Sequence, residues 1–261
     1  MNHLFLIAGP CAIEDEQMPR IIAKKVKDLT DQLEIPFVFK ASYRKANRTR
    51  LDSFVGLPRT VALETLGSIK EEFGVPVLTD VHESWECDEV AEYVDYLQIP
   101  AFLCRQTDLL IAAANTGKGI NIKKGQFLSP DAVEFILEKI HSTGNSSIWL
   151  TERGSSFGYE SLIVDMTGIP RMKEFGFPVV VDCTHSVQKP NQRSGVTGGD
   201  ATHIETLALA SVAAGADGLF IEVHPSPNHA KSDAASMLLL EKLEPLLVKA
   251  KKFFDLRKEE Q

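Results

Sequence analysis

No stretch of this 261-residue chain is apolar for long enough to cross a membrane. The opening apolar run, Leu4 to Ala8, is also far too short for a secretory leader, so a cytoplasmic protein with no membrane partner is expected. Basic residues are in deficit: 28 Lys and Arg face 36 Asp and Glu, a net charge of −8. That balance argues against nucleic acid as a partner and means that any anionic ligand must be drawn by local clusters of cations. Cysteine is scarce, and Cys11, Cys87, Cys104 and Cys183 show no paired spacing, which suits free thiols in a reducing compartment. No Gly-x-Gly-x-x-Gly follows the first apolar run, which weakens a dinucleotide-binding reading. Short Cys-x-x-Cys and His-Glu-x-x-His signatures are missing too. There is no long linker and no shift in composition, so residues 1–261 read as a single domain.

What the chain does have is a strict alternation of two textures. Short β-rich apolar runs fall at 3–8, 36–41, 76–81, 96–101, 119–122, 147–150, 178–181 and 218–224. Between them lie helical patterns at Met18–Leu33 and Arg59–Phe73, a short acidic helix after Glu83, and Asp108–Asn115. Others open at Ser129-Pro130, lie near 160–174 and at Thr202–Ala214, and close the chain at Leu238–Leu256, where Pro245 marks a kink or a break. Eight such units in about 250 residues predict parallel strands with right-handed crossovers, closed into a (β/α)8 TIM barrel. Chemistry in that architecture collects at the C-terminal ends of the strands.

Two kinds of group gather at those strand ends. Lys40, Lys45, Arg48, Lys123 and Arg153 lie at or just past them. Five cations around one mouth of an acidic protein point to a ligand with more than one negative charge, since Arg forks grip phosphate or carboxylate and Lys adds point charge. The plainer alternative is that each cation simply pairs with a nearby acid such as Asp80 or Glu152. The second group is Cys11, His185, Glu222 and Asp233, from the exits of strands one, seven and eight. Thiolate, imidazole and two carboxylates suit Zn²⁺, Fe²⁺ or Mn²⁺, and the mixed softness leaves the metal open. Sequence spacing alone is a weak signal here, because a lone cysteine after a Gly-Pro turn is most often a packed hydrophobe; only closure of the barrel brings these four together.

A family resemblance rests on the same stretches. Present together and in order are Ile7-Ala8-Gly9-Pro10-Cys11, Phe39-Lys40 with Lys45-Ala46-Asn47-Arg48, Gln98 through Asp108 (QIPAFLCRQTD), Lys123-Lys124-Gly125-Gln126-Phe127, Thr151-Glu152-Arg153-Gly154 with Phe157-Gly158-Tyr159, and Asp182 with Thr184 to Gln188. Across essentially its full length the chain resembles the 3-deoxy-D-manno-octulosonate 8-phosphate synthases. The resemblance implies condensation of phosphoenolpyruvate with D-arabinose 5-phosphate and release of inorganic phosphate, a step toward lipopolysaccharide.

Carried over by position, the resemblance makes Lys40, Lys45, Lys123 and Arg153 the phosphoenolpyruvate grip, with Ser42 and Ala101 beside it. It gives Asn47, Arg48 and Thr197 to substrate binding, the first two to the pentose phosphate. Arg105 matches an arginine that a neighbouring subunit of this usually homotetrameric family lends to that phosphate. Catalytic work falls to Lys45, His185 and Asp233. Cys11, His185, Glu222 and Asp233 match the ligands of the metal-dependent branch; the other branch has asparagine at the cysteine position. Two departures stand out: Arg44 replaces the usual aspartate, and Asn191-Gln192 replaces a glycine pair after Pro190. The rivals are a 3-deoxy-arabino-heptulosonate 7-phosphate synthase using erythrose 4-phosphate, which usually reads Lys-Pro-Arg-Thr in place of the Lys-Ala-Asn-Arg ending at Arg48, and a catalytically silent sugar-phosphate sensor.

Overall fold

The fold is described for residues 3–259 in a computed structural model. The single-domain expectation over 1–261 includes residues 1, 2, 260 and 261, which lie outside the described residues. Eight parallel strands form the centre: β1 (Phe5–Gly9), β2 (Phe37–Lys40), β3 (Val77–Asp80), β4 (Tyr96–Ile99), β5 (Gly119–Lys123), β6 (Ile148–Glu152), β7 (Val179–Asp182) and β8 (Gly218–His224). They pair in chain order, and β8 pairs back onto β1 with Phe5 opposite Gly218 and Gly9 opposite Glu222, so the sheet closes. The helices that follow the strands are α1 (Met18–Leu33), α2 (Arg59–Phe73), α3 (Cys87–Tyr93), α4 (Thr107–Asn115), α5 (Glu134–His141), α6 (Gly168–Lys173), α7 (Ile204–Ala213) and α8 (Leu243–Glu259). Closure into a (β/α)8 barrel is the expected architecture. Among the described residues no helix is long and apolar enough to cross a membrane.

The two-residue period of the strands builds the barrel in layers. Outward-facing residues such as Leu6, Ala8, Phe39 and Val181 join the main core beneath the helices. Helix α1 supplies Ile22, Ala23, Val26 and Thr30 to that core and leaves Lys24 and Lys25 in solvent. Inward, Phe5, Ile7, Val38, Leu78, Val180 and Phe220 pack as a separate apolar plug. Two residues further along the same faces stand Lys40, Asp80, Asp182 and Glu222, all buried. Each of these four strands therefore passes from apolar plug to charged mouth within one repeat of the pleat. The plug is tight at its base, where a Cβ on Gly218 would sit 2.6 Å from the Phe5 ring.

The structure departs from the sequence reading in three places. The helix expected near 160–174 is a hairpin, Ser155–Phe157 paired antiparallel with Ser161–Ile163, followed only by the short α6. The last helix begins at Leu243, not Leu238: Leu238 and Leu239 extend the sheet beside Val223 and His224, and Pro245 falls in the first turn of α8, where its missing N–H costs nothing. Ser129 gives no side-chain cap; a 3-10 turn over Asp131–Val133 leads into α5. Strand and helix ends elsewhere shift by only a few residues.

Candidate active site

The cations do converge, and they divide by partner. The buried Lys40 ammonium donates to Glu222 Oε1 at 2.8 Å and to Ser42 Oγ at 3.1 Å. Lys123 donates to Asp182 Oδ2 at 2.5 Å and sits 3.2 Å above the Phe220 ring. Burial pulls Lys123 down to about 8, with Asp182 opposing the shift and Lys40 adding to it. The plainer reading of acid-paired cations thus holds for these two, although the acids are Glu222 and Asp182. Lys45, Arg48 and Arg153 have no carboxylate within ion-pair distance among the described residues. Burial would lower Lys45, but Cys11, Glu222, Asp80 and Asp233 outweigh it and hold the ammonium above the usual lysine range. Arg153 donates through Nη2 to Gln188 Oε1 at 2.8 Å, while its buried Nη1 has no hydrogen-bond partner among the described residues. Arg48 donates through Nη1 to Ser232 Oγ at 2.6 Å, and its Nε is likewise buried without a partner. All five cations line one cavity of about 440 Å³.

A second constellation closes one side of this mouth. One ligand atom each from Cys11, Glu222 and Asp233 lies within 4.8 Å of the others. His185, on the turn after β7, places Nε2 3.6 Å from Glu222 Oε2. Its Nδ1 is held 2.6 Å from Asp182 Oδ2, the outer carboxylate that commonly fixes a metal-binding imidazole. Glu222 Oε2 is buried and has no hydrogen-bond partner among the described residues, a cost that a bound cation would remove. Burial, then Asp233 and Glu222, push the Cys11 thiol well above its ordinary value, and it lies 2.9 Å from Asp233 Oδ2 as a donor. Thiol, imidazole, one orphaned carboxylate oxygen and a second carboxylate fit a divalent metal. Asp233 itself takes a left-handed backbone (φ 50°), a strained conformation held by the contacts around it.

Of the other expected site residues, Asn47, Ala101 and Thr197 line the cavity, as do His185 and Asp233. Ser42 lies beneath it, its hydroxyl donating to Asp80. Burial would raise Asp80, but Lys40 and Lys45 hold it well below the usual carboxylate range. Arg105 is exposed beyond the turn after β4 and does not line the cavity of its own chain. The two departures also find places. Arg44 pairs with the buried Glu86 at 2.9 Å. Asn191 adopts φ 59°, the region glycine favours and asparagine tolerates, and its amide ties the loop to the Tyr159 carbonyl at 2.7 Å.

The DAHP synthetase I family matches residues 2–259. A 2-dehydro-3-deoxyphosphooctonate aldolase of Rickettsia typhi is 49% identical over 255 residues, covering 98% of this chain and 93% of its own. Proteins of the same name from Fusobacterium nucleatum subsp. nucleatum (50% over 242 residues, 93% of this chain and 87% of the relative) and Cyanothece sp. (51% over 242 residues, 93% and 89%) agree. The chain belongs to the DAHP synthetase I family. The chain spans nearly all of each of these relatives, so the barrel and its mouth fall wholly within the family match.

Several residues at this family member's mouth were not singled out as site residues from the sequence. Asp182 holds Lys123 and His185 at once and accepts from the Thr184 and His185 amides; burial opposes its charge, but His185 and Lys123 keep it well below the carboxylate range. Gln98 donates to Asp80 and accepts from Asn121 at 2.9 Å, and Asn121 accepts from Thr151 at 2.6 Å, so a buried polar chain crosses the barrel beneath Lys40. Polar residues at inward positions of apolar strands were the available signal for these. Gln188 and Ser232 left no such trace, since Gln188 lies in a two-residue strand paired with Gly199 and Ser232 lies on a loop.

Proposed function

We propose that the protein is a 3-deoxy-D-manno-octulosonate 8-phosphate synthase, condensing phosphoenolpyruvate with D-arabinose 5-phosphate and water and releasing inorganic phosphate. The observation that carries this reading is the pairing of three cations without carboxylate partners (Lys45, Arg48 and Arg153) with an orphaned carboxylate oxygen on Glu222, all around one mouth. Two anionic substrates answer the first and a divalent metal the second. The family and the names of its relatives support the same reaction. Lys40, Lys45, Lys123 and Arg153 hold phosphoenolpyruvate, with Ser42 and Ala101 beside it; Asn47 and Arg48 hold the pentose phosphate, and Thr197 adds a substrate contact from the cavity wall. Arg105 faces away from its own cavity and serves a neighbour's in a homotetramer. Cys11, His185, Glu222 and Asp233 hold the metal, whether Zn²⁺, Fe²⁺ or Mn²⁺. When bound, such an ion orients an aldehyde oxygen or acidifies a water.

In the reaction, the enol carbon of phosphoenolpyruvate attacks the aldehyde of the pentose, water adds to the cationic carbon left behind, and the hemiketal phosphate collapses to the ketone and phosphate. Lys45 and Arg153 position the phosphate that will leave and neutralise its charge. Lys123 supplies positive charge to the substrate, and Asp182 keeps both it and the His185 ring in place. The loop carrying Asn191 to Thr197 lines the cavity and excludes bulk water. A phosphate-release assay with both substrates, run with and without chelator, tests the reading. Turnover with erythrose 4-phosphate in place of arabinose 5-phosphate would assign it instead to the heptulosonate reaction. Tight ligand binding with no phosphate release would make it a sensor.

A further inference from the structure

Asp233 has an unusual position between the two groups of side chains at the mouth. Its Oδ1 accepts from Gln188 Nε2 at 2.7 Å, and the other end of that amide accepts from Arg153 Nη2 at 2.8 Å. Its Oδ2 accepts from the Ser232 hydroxyl at 3.0 Å, and that hydroxyl in turn accepts from Arg48 Nη1 at 2.6 Å. Each oxygen of one carboxylate is therefore joined to a different arginine through a single neutral side chain. Ser232 is almost fully buried and also lies 3.1 Å from the Cys11 sulfur, so it touches the metal-ligand cluster twice. Besides these two contacts, Asp233 Oδ2 accepts only from the Cys11 thiol among the described side chains, so the carboxylate is held by two relays and one candidate metal ligand.

We propose that Gln188 and Ser232 are positioning residues that couple Asp233 to the two anion-binding arginines, so that metal binding and substrate binding strengthen one another along two separate arms. This rests on the site roles given under Proposed function. With the mouth empty, each guanidinium draws electron density from its amide or hydroxyl relay, and the relay withdraws density from Asp233. An anion on the guanidinium relieves that withdrawal, and the carboxylate becomes a better donor to a cation. Coupling of this kind is reciprocal: whatever phosphoenolpyruvate does to metal affinity, the metal does to phosphoenolpyruvate affinity.

The test is to titrate the metal-free full-length protein with Mn²⁺ alone, with saturating phosphoenolpyruvate, and with saturating arabinose 5-phosphate. In the parent protein each substrate is expected to tighten Mn²⁺ binding by about fivefold or more. Gln188→Ala and Gln188→Glu remove the donor to Asp233, the second while keeping an oxygen for Arg153; both should lose most of the phosphoenolpyruvate effect and keep the pentose effect. Ser232→Ala should do the reverse, and Ser232→Thr, which keeps the hydroxyl, should restore it. A purely structural role would lower Tm without producing this crossed pattern. Absence of coupling in the parent, or equal loss of both effects in both variants, overturns the proposal. Phosphate release by the parent judges the reaction separately: turnover without the crossed pattern removes only the coupling, and the crossed pattern without turnover removes only the reaction.

Discussion

Lys123 offers the sharpest quantitative handle. Its side chain is pulled from the ordinary 10.5 to about 8 by burial. At about 1.4 kcal/mol per unit, that shift is worth roughly 3 kcal/mol of unfavourable charge. The sign follows from linkage: below pH 8 both folded and unfolded chains carry the proton and the whole cost is present, and it is relieved as pH rises from 8 toward 10.5. An anion beside the ammonium supplies a compensating charge and raises its pKa. Phosphoenolpyruvate binding should therefore take up close to half a proton per site at pH 8 and about a tenth at pH 7. Calorimetry in two buffers of different ionisation enthalpy reads this uptake directly. Lys123→Arg keeps the cation but removes the titration, so it corrects for protons released by the substrate's own phosphate, whose second pKa of about 6 is lowered among cations. The same group predicts a limb near pH 8 above which kcat/KM for phosphoenolpyruvate falls. Uptake no greater in the parent than in Lys123→Arg, or a profile flat across that limb, would refute the reasoning.

Chelation should abolish turnover, and Mn²⁺, Fe²⁺ or Zn²⁺ should restore it; undiminished activity in protein shown by elemental analysis to be metal-free would contradict the ligand set. Cys11→Asn should have low activity, checked with and without added metal, because the rest of the site is built around a thiol. Arg153→Ala should mainly weaken phosphoenolpyruvate and Arg48→Ala the pentose phosphate, each by roughly ten- to hundred-fold in calorimetry, the effect of losing a charged hydrogen bond of about 1.5–3 kcal/mol. Arg105→Ala should raise KM for the pentose phosphate alone, and a fully active monomer in sedimentation would exclude its role across subunits. Gly9→Ala should lower Tm sharply, since a Cβ there would lie 2.0 Å from the Lys40 backbone oxygen.

Much of this was readable in the sequence, for a physical reason. Strands that are covered on both faces must be apolar, and helices that cover them must be amphipathic, so the alternation registers in hydropathy alone. Barrel closure then turned Cys11, Glu222 and Asp233, spread over more than 200 positions, into neighbours, with His185 reaching the group through Glu222. The hairpin at 155–163 was missed because its strands are only three residues each and expose Phe157 and Ile163 to solvent, which leaves no period of two to detect. Acid partners were misjudged for a related reason. Glu152, adjacent to Arg153 in sequence, turns instead to Lys124 at 3.5 Å and to the backbone amides of Arg153 and Gly154. The meaning of Gln188 and Ser232 lies wholly in what stands on either side of them in space.

The layered barrel also sets the kinds of length change the chain can absorb. Along β2, β3, β7 and β8, plug residue and mouth residue are separated by two positions: Val38 and Lys40, Leu78 and Asp80, Val180 and Asp182, Phe220 and Glu222. A single residue inserted between the members of any such pair would turn one of them toward the helices. The damage would be double, with a charge driven into the outer apolar layer and a gap left in either plug or mouth. Two inserted residues would preserve facing but lift the charge about 6.6 Å along the strand, away from its partner. Insertions that keep the fold should therefore be tolerated only in the connections beyond the strand ends, and changes of substrate should come through those loops while the strands stay fixed in length.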